Sequence, residues 1–292
     1  MPEPAAIRVG SETQYLETLP FATGIQRVMR ETHSVLVDRL TPIGADIVPL
    51  HTRRRPRATV FRANPYLAPD PVLDRQPIDV AACDVILMLD LHTDVDFAEV
   101  FRERRRRRLP VISVVHDIIP ITSPHVFGGD PRTVFRLYLQ QVFAVSDHVV
   151  VTSRKVRADL LSLGWRIPGE IHVIGLGTTF AQRAPEPPPD DRISILYVST
   201  LEPRKGHDVL LAAFDLLRER GRDVDLTIVG RIGWEIDDLV AGLRAHPDLG
   251  GRLRWLPGAD DLTVATVARG CTVGVFPAVD EGLHLFVEEG LS

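Results

Sequence analysis

Two glutamates stand eight positions apart in the stretch FPAVDEGLHLFVEEGLS, residues 276–292. Glu281 follows a predicted strand and turn, and Glu289 falls in the first turns of a predicted helix. A carboxylate held at such a place accepts hydrogen bonds from paired hydroxyls, such as the 2′ and 3′ hydroxyls of a ribose. The other carboxylate can accept from a sugar hydroxyl. The pair therefore predicts a site for a nucleotide sugar.

Two cations precede another predicted helix, in the stretch VSTLEPRKGHD at 198–208. Arg204 and Lys205 lie in a proline-containing turn at the carboxyl end of a predicted strand, the edge at which parallel sheets bind ligands. Fixed positive charge beside the free N–H groups of a helix N-terminus suits a diphosphate. The alternative is that both cations are ordinary exposed residues of a turn.

Two further strand ends carry candidate residues. His116 emerges from an apolar strand in VVHDIIPIT, where it is either a hydrogen-bonding partner for a substrate hydroxyl or an ordinary structural histidine. Gly24 begins a helix in FATGIQRV and would let backbone N–H groups approach a phosphate, although glycines at helix starts are common. No GxGxxG motif follows a first strand, which argues against a dinucleotide-binding oxidoreductase.

The bulk composition argues against several classes of partner and site. A net charge of −5 over 292 residues gives no general attraction to nucleic acid. Cys83 and Cys271 lie in apolar surroundings without a zinc or disulfide spacing, which favours a reducing cytoplasm. The aspartates of TDVD at 93–96 indicate a loop rather than a cation site, and the glutamate spacing does not suggest a metal. Because no stretch approaches the roughly 20 apolar residues of a membrane span, we expect a soluble or peripheral protein.

The basic residues are concentrated in two clusters, HTRRRPR at 51–57 and FRERRRRR at 101–108. One interpretation is that these are solvated arginines of loops and helix ends, as charge runs usually are. The other is that Arg102–Arg108 forms a patch for anionic lipid head groups, or for an acceptor that they carry.

Short apolar runs alternate with amphipathic segments, which is typical of parallel α/β sheets. The predicted strands are at 46–50, 84–91, 110–117, 147–153, 170–175, 193–199, 224–230, 252–258 and 271–277. The predicted helices are at 24–40, 130–146, 153–164, 206–221, 234–246 and 259–270.

The stretch RAPEPPPDD at 183–191 has four prolines in nine residues, which excludes helix interior and central strand. It predicts one domain at 1–184, a proline-rich linker at 185–191 and a second domain at 192–292, with ligands in the cleft between the domains. The second domain offers only four strands, whereas a doubly wound domain usually has five or six. The chain is therefore predicted to be incomplete at its C-terminus.

Several segments together resemble a known family, the retaining glycosyltransferases of the GT4 type with the GT-B fold. In the second domain these are ILYVSTLEPRKGHDVLLAAFDLL, LTIVGRIGW, RWLPGADD and VFPAVDEGLHLFVEEGL. Upstream, TGIQRVMRE, VVHDIIPIT and VVVTSRKVRADL resemble the acceptor-side domain of the same family, in the same order. The resemblance covers Thr23 to Ser292, and it implies two Rossmann-like, doubly wound parallel-sheet domains that face a cleft, the second incomplete here.

The resemblance also implies a reaction and roles for the donor-binding residues. Members of the family transfer a sugar from a nucleotide diphosphate with retention of the anomeric configuration, and they need no metal or other cofactor. By this resemblance Lys205 binds the diphosphate, Glu289 binds the ribose and Glu281 contacts the donor sugar.

The other residues include two that match the family pattern in the first domain and one that departs from it in the second. His116 matches a histidine near the transferred sugar, and Gly24 matches a glycine that approaches the diphosphate. The family's usual arginine, five positions before Lys205, is Thr200 here, and Arg204 is the candidate substitute.

The loop after Glu281 departs from the family pattern Glu-Gly-Phe-Gly-Leu-Pro. His284 replaces a glycine whose backbone donors close on the donor phosphate, and Leu285 follows it in this donor-binding loop. Phe286 replaces a proline that would preset the first helical turn. These changes predict a shifted or weakened donor site.

The leading hypothesis is a cytoplasmic enzyme, peripheral to the inner face of the membrane if the Arg102–Arg108 patch is functional. It would transfer mannose or a similar sugar from a UDP- or GDP-sugar to a glycan or a lipid-linked acceptor. The alternative is a truncated or degenerate relative that binds a nucleotide or a partner without turnover. A GT-B epimerase or phosphorylase is a third class, which predicts a different set of anion-binding residues.

Overall fold

The computed structural model describes residues 6–12, 24–50, 79–90, 93, 95–167, 169–176 and 192–283. These residues form two compact units. The first runs up to Pro124 and continues from Gly128 to Leu176, and the second contains the residues from Arg192 onward together with His125–Phe127. The predicted linker at 185–191 lies outside the described residues, so its boundaries stay a prediction.

The first unit is built on a sheet of six parallel strands in the order β2-β1-β3-β4-β5-β6. The strands are β1 Ile7–Glu12, β2 Ala45–Leu50, β3 Val85–Met88, β4 Val111–Val115, β5 His148–Val151 and β6 Ile171–Val173. Strand order reverses between β1 and β3, and this reversal is the switch point at which open parallel sheets form ligand sites.

Helices cover both faces of this sheet. They are α1 Gly24–Leu40, α2 Ala98–Arg107, the single turn α3 Ile119–Thr122, α4 Pro131–Val145 and α5 Arg154–Ser162. Met29 of α1 packs against Leu89 and Val114 on one face. Val100 of α2 and Leu139 of α4 belong to the larger core on the opposite face.

Two of the helix starts expected from the sequence are confirmed. The Asp130 carboxylate accepts a hydrogen bond from Thr133 N at 3.1 Å, and the Ser153 hydroxyl accepts one from Val156 N at 3.1 Å. Each side chain satisfies an N–H group that has no partner inside its helix.

The second unit contains a sheet of four parallel strands in the order β10-β7-β8-β9. The strands are β7 Ile193–Val198, β8 Val224–Val229, β9 Leu253–Leu256 and β10 Val273–Gly274. The helices between them are α6 His207–Glu219, α7 Asp237–Ala245 and α8 Asp261–Arg269. Tyr197, Phe214 and Leu226 are fully or almost fully buried in the core between sheet and helices.

Strand β10 is shorter than the predicted strand at 271–277. Its pairing with β7 ends where Val275 N donates to Leu196 O at 2.9 Å. Pro277 follows two residues later and has no N–H to continue a ladder. In the described part of the chain, the helices are too short or too polar to traverse a bilayer.

Candidate functional site

The turn after β7 holds both predicted cations. Residues Pro203–Lys205 form a single 3₁₀ turn, closed by a hydrogen bond from Lys205 N to Glu202 O at 3.0 Å. The Tyr197 hydroxyl, from the strand itself, donates to Lys205 O at 2.7 Å. The turn is therefore fixed to the carboxyl end of β7, immediately before helix α6 begins.

The loop after β10 lies beside this turn, because β10 is the neighbour of β7 in the sheet. Val279 N donates to Arg204 O at 2.8 Å. Gly206, which follows the turn, has a φ of +66° and lies so close to the loop that an added Cβ would be 2.3 Å from Pro277 O. Only glycine fits such a backbone conformation and approach without strain.

Both cations contact one carboxylate in this loop. Arg204 Nη1 donates to Glu281 Oε2 at 3.0 Å and to Asp280 O at 3.1 Å. Lys205 Nζ donates to the other oxygen, Glu281 Oε1. The three side chains are only 12–20% exposed, so their charges interact with little screening by water.

This arrangement determines the ionisation of Glu281. Burial of its carboxyl favours the protonated form, but the charges and hydrogen bonds of Lys205 and Arg204 outweigh burial and lower its pKa below the ordinary glutamate value. Glu281 is therefore an anion at neutral pH, held where two cations and the backbone of a turn converge.

Glu202 is a member of the site that the sequence reasoning missed. Its side chain is 9% exposed, and its Oε2 lies 3.1 Å from Arg204 Nε. Burial raises the pKa of Glu202 above its ordinary value, although Arg204 and Lys205 oppose the shift. An acidic residue two positions before Arg204 was the available signal, but spacing alone does not show that its side chain turns inward.

His207 is a second residue that the sequence reasoning missed. It is 2% exposed, and its ring lies 4.8 Å from the ring of Tyr197. Burial lowers the pKa of His207 to about 4, and the nearby charge of Lys205 acts in the same direction. The ring is therefore neutral at physiological pH and adds no positive charge beside Lys205.

The predicted residues of the first unit lie at two of its strand and helix ends. His116 follows β4 and is buried, and its Nε2 lies 2.7 Å from Leu89 O. Because a carbonyl oxygen only accepts, Nε2 carries the hydrogen of this bond. Gly24 is the first residue of α1 and is exposed.

The other predicted donor residues are only partly described. Thr200 follows β7 and is half-buried, and its carbonyl accepts a hydrogen bond from the Ser199 hydroxyl at 3.2 Å. His284, Leu285 and Glu289 lie outside the described residues, so their predicted roles stay predictions. The structure thus brings together Arg204, Lys205 and Glu281 and describes His116 and Gly24 separately, in the other unit.

Comparison with known proteins identifies the family. The sequence profile described as "Glycosyltransferase Family 4" matches residues 20–181, more than half of the chain. The chain belongs to glycosyltransferase family 4. A second profile, "Glycosyl transferases group 1", matches residues 179–291 of the chain.

Curated relatives of this chain include proteins named serotype-specific mannosyltransferase WbdA, from Escherichia coli. One is 28% identical over 287 residues and another is 29% identical over 289 residues. Each alignment covers 90% of this chain and 35% of the relative. The chain therefore spans about a third of the length of the curated relatives it matches.

Solved structures identify the fold of this chain. The apo form of the lipopolysaccharide outer core galactosyltransferase WaaB matches with a TM-score of 0.58 and 13% identity, over 98% of this chain and 77% of that one. A complex of Staphylococcus aureus TarM with UDP matches with a TM-score of 0.50 and 16% identity. The match covers 71% of this chain and 39% of the TarM chain. With the two parallel sheets, these matches identify the GT-B fold.

Proposed function

We propose that this glycosyltransferase moves a sugar, mannose or a similar hexose, from a UDP- or GDP-sugar to a glycan or lipid-linked acceptor, with retention of configuration. The observation that supports a diphosphate donor most directly is the convergence of Arg204 and Lys205 on Glu281. Two cations that already hold an oxyanion are suited to hold a phosphate. The name of the mannosyltransferase relatives favours mannose.

In the proposed reaction, the acceptor hydroxyl oxygen bonds to the anomeric carbon on the face from which the diphosphate departs. The bond between the anomeric carbon and the phosphate oxygen breaks, and the hydroxyl proton passes to that phosphate oxygen. Arg204 and Lys205 stabilise the negative charge that develops on the leaving group, and such electrostatic stabilisation is usually the largest single contribution to catalysis. This step requires no metal ion and no protein nucleophile.

Two other residues are assigned positioning roles in the same proposal. Once the donor displaces it from the cations, Glu281 accepts a hydrogen bond from a hydroxyl of the donor sugar. His116, with Nε2 bonded to Leu89 O, presents its ring at the end of β4 for a hydroxyl of the transferred sugar. We place the reaction in the cytoplasm, in keeping with the two free cysteines of the chain.

The lysine composition gives a direct test of the donor site. The chain contains two lysines, Lys155 and Lys205. Lys155 lies on α5 and pairs with Asp159 at 2.7 Å, with its side chain 48% exposed. Amine-selective labelling followed by mass spectrometry should show Lys205 protected by millimolar UDP or GDP, with Lys155 labelled equally in both conditions. Equal labelling of Lys205 with and without either nucleotide would contradict a diphosphate site at this turn.

Isothermal titration calorimetry measures the affinity of the same site for UDP or GDP. Lys205→Ala should weaken UDP or GDP affinity about 10-fold to 100-fold, because one charge-assisted hydrogen bond to phosphate is lost. Lys155→Ala is the matched control and should bind as the parent does.

An activity assay distinguishes an active enzyme from a non-catalytic relative that only binds a nucleotide or a partner. We expect incubation with GDP-mannose or UDP-sugars and a mannosyl glycan to yield an extended glycan, whose new linkage has the anomeric configuration of the donor by NMR. Nucleotide binding without transfer or donor hydrolysis would instead support the non-catalytic alternative. Inverted linkages would exclude the retaining mechanism.

A further inference from the structure

Helix α2 and the residue after it carry six arginines, Arg102 and Arg104–Arg108. Two of them serve the fold. Arg104 Nη2 donates to Asp147 Oδ1 at 2.9 Å, and Arg107 Nη2 donates to Val80 O at 3.1 Å. These two arginines therefore hold the helix against the residues that precede β5 and β3.

The other arginines of the helix form an exposed stripe. Arg105 and Arg106 follow Arg102 by three and four residues, so both lie on the same side of the helix as Arg102. With Ala98 and Phe101 they line a shallow depression of about 560 Å³.

The stripe has more positive charge than its carboxylates neutralise. Arg102 pairs with Glu99 at 3.3 Å. Glu103 is shared by three arginines, with contacts of 3.6 Å to Arg102, 2.7 Å to Arg106 and 3.0 Å to Arg107. Arg105 contacts no carboxylate among the residues that the structure describes. The exposed side of α2 is therefore cationic although the whole chain is acidic.

Helix α4 lies next to α2 and adds apolar side chains to the same surface. Strands β3, β4 and β5 are consecutive neighbours, so right-handed crossovers place α2 and α4 on one face of the sheet. The Phe97 ring, just before α2, lies 6.0 Å from the Tyr138 ring of α4. On the side away from the sheet, Val134 is 51% exposed and Leu137 is 56% exposed.

We propose that this surface, defined by Arg102, Arg105, Arg106, Val134 and Leu137 and called here the arginine face, docks on a bilayer that contains anionic phospholipids. Arginines near a negatively charged membrane surface are attracted to it by its anionic lipids. Exposed aliphatic residues beside them enter the boundary between head groups and acyl chains, which a nucleic acid or a soluble polyanion does not offer. Since the chain has a net charge of −5, this localised patch would also orient the protein on the membrane.

Vesicle flotation of the purified 292-residue chain tests the charge contribution. The chain should float with vesicles of phosphatidylcholine containing about 30% phosphatidylglycerol, chosen to give the negative surface potential of such membranes, and not with phosphatidylcholine alone. The double variant Arg102→Gln/Arg105→Gln should lower the partition coefficient about 30-fold, from two lost arginine contributions. The control Arg220→Gln/Arg222→Gln removes two exposed arginines of the second unit and should float as the parent does.

The apolar contribution is tested with Leu137→Gln against Leu216→Gln, since Leu216 is 45% exposed on α6. Leu137→Gln should weaken partition about fivefold, as expected for a half-exposed leucine that enters the boundary, and Leu216→Gln should not change it. Circular dichroism and thermal unfolding establish that each variant is folded. Equal flotation with neutral and anionic vesicles, no flotation, or equal losses in test and control variants would overturn the proposal. It would also be overturned if soluble inositol phosphates bound the arginine face as tightly as the vesicles do.

Discussion

The carboxylate of Glu281 occupies the position between Arg204 and Lys205 at which we propose that a donor phosphate binds. The contacts involve both carboxylate oxygens, and the side chains are largely shielded from water. In that proposal a phosphate displaces Glu281 from the cations, and the free energy of the displacement is expected to reduce nucleotide affinity. Once displaced, the carboxylate becomes available to a donor hydroxyl.

Glu281→Gln should separate these two roles. Free UDP or GDP should bind about tenfold more tightly, equivalent to ~1.4 kcal/mol, because the glutamine does not compete for the cations as an anion. Transfer should fall, because the contact with the donor sugar is weakened. Titration calorimetry and product analysis measure the two effects, with the exposed Glu219→Gln as control. Unchanged or weaker nucleotide binding would show that Glu281 does not compete with phosphate.

The sequence was informative about residue type at this site and less so about side-chain direction. Arg204, Lys205 and Glu281 were predicted from their places at the ends of strands, where charged groups are expected to converge. Glu202 was not predicted to belong to the site. A carboxylate beside a basic turn is equally consistent with a solvent-exposed ion pair. Its burial depends on how the loop after β10 covers the turn, which spacing does not reveal.

At the level of elements, the contact between the turn after β7 and the loop after β10 depends on Gly206. Its φ of +66° and its approach to Pro277 O leave no room for a side chain. Both segments would have to move to accept a Cβ, and Arg204 and Lys205 would move with them.

Gly206→Ala should destabilise the chain by about 1–3 kcal/mol, through backbone strain and the clash with Pro277. Gly242→Ala is a matched control in helix α7, where an added Cβ meets nothing within 4 Å. It should stabilise by about 0.5–1 kcal/mol, because alanine favours helix more than glycine does. Urea unfolding measures both values. Similar effects of the two substitutions would contradict the close approach at Gly206.

The predictions of elements succeeded where apolar runs were continuous and failed where polar residues are buried. Strand β1 was not predicted, since its second half contains Ser11 and Glu12, both fully buried. Strand β10 was predicted too long, because its apolar residues continue into a loop that packs on the turn after β7. Hydrophobic pattern alone does not distinguish a buried loop from a buried strand.

For the molecule as a whole, the carboxylates in ion pairs determine the acid dependence of stability. The hydrogen bond from Arg104, followed by that from Val111 N at 2.9 Å, lowers the pKa of Asp147 although partial burial opposes it. A carboxylate with a lowered pKa stabilises the fold above its ordinary pKa of about 4, and this stabilisation is lost as pH falls toward the folded-state value. Glu281 acts in the same sense, whereas Glu202, with its raised pKa, acts in the opposite one.

The free energy of unfolding should therefore fall as pH is lowered from about 6 to 3, over the range in which paired carboxylates become protonated. Asp147→Asn should be about 1 kcal/mol less stable at pH 7, a value reduced for solvent screening because the side chain is 41% exposed. It should also lose less stability on acidification. Urea unfolding at the two pH values gives the comparison, with Glu170→Gln, an exposed carboxylate of the same unit, as the control. An unchanged acid dependence in Asp147→Asn would exclude a contribution from this pair.

The first and last described strands of the second unit, β7 and β10, are neighbours in the sheet, although Lys205 and Glu281 are 76 positions apart along the chain. The charge cluster consequently closes a long loop and forms only when β10 pairs with β7. Under the proposed function, a folding intermediate without β10 would not bind the nucleotide at this cluster. A bound donor would then stabilise, by mass action, only the sheet in which β10 is paired with β7.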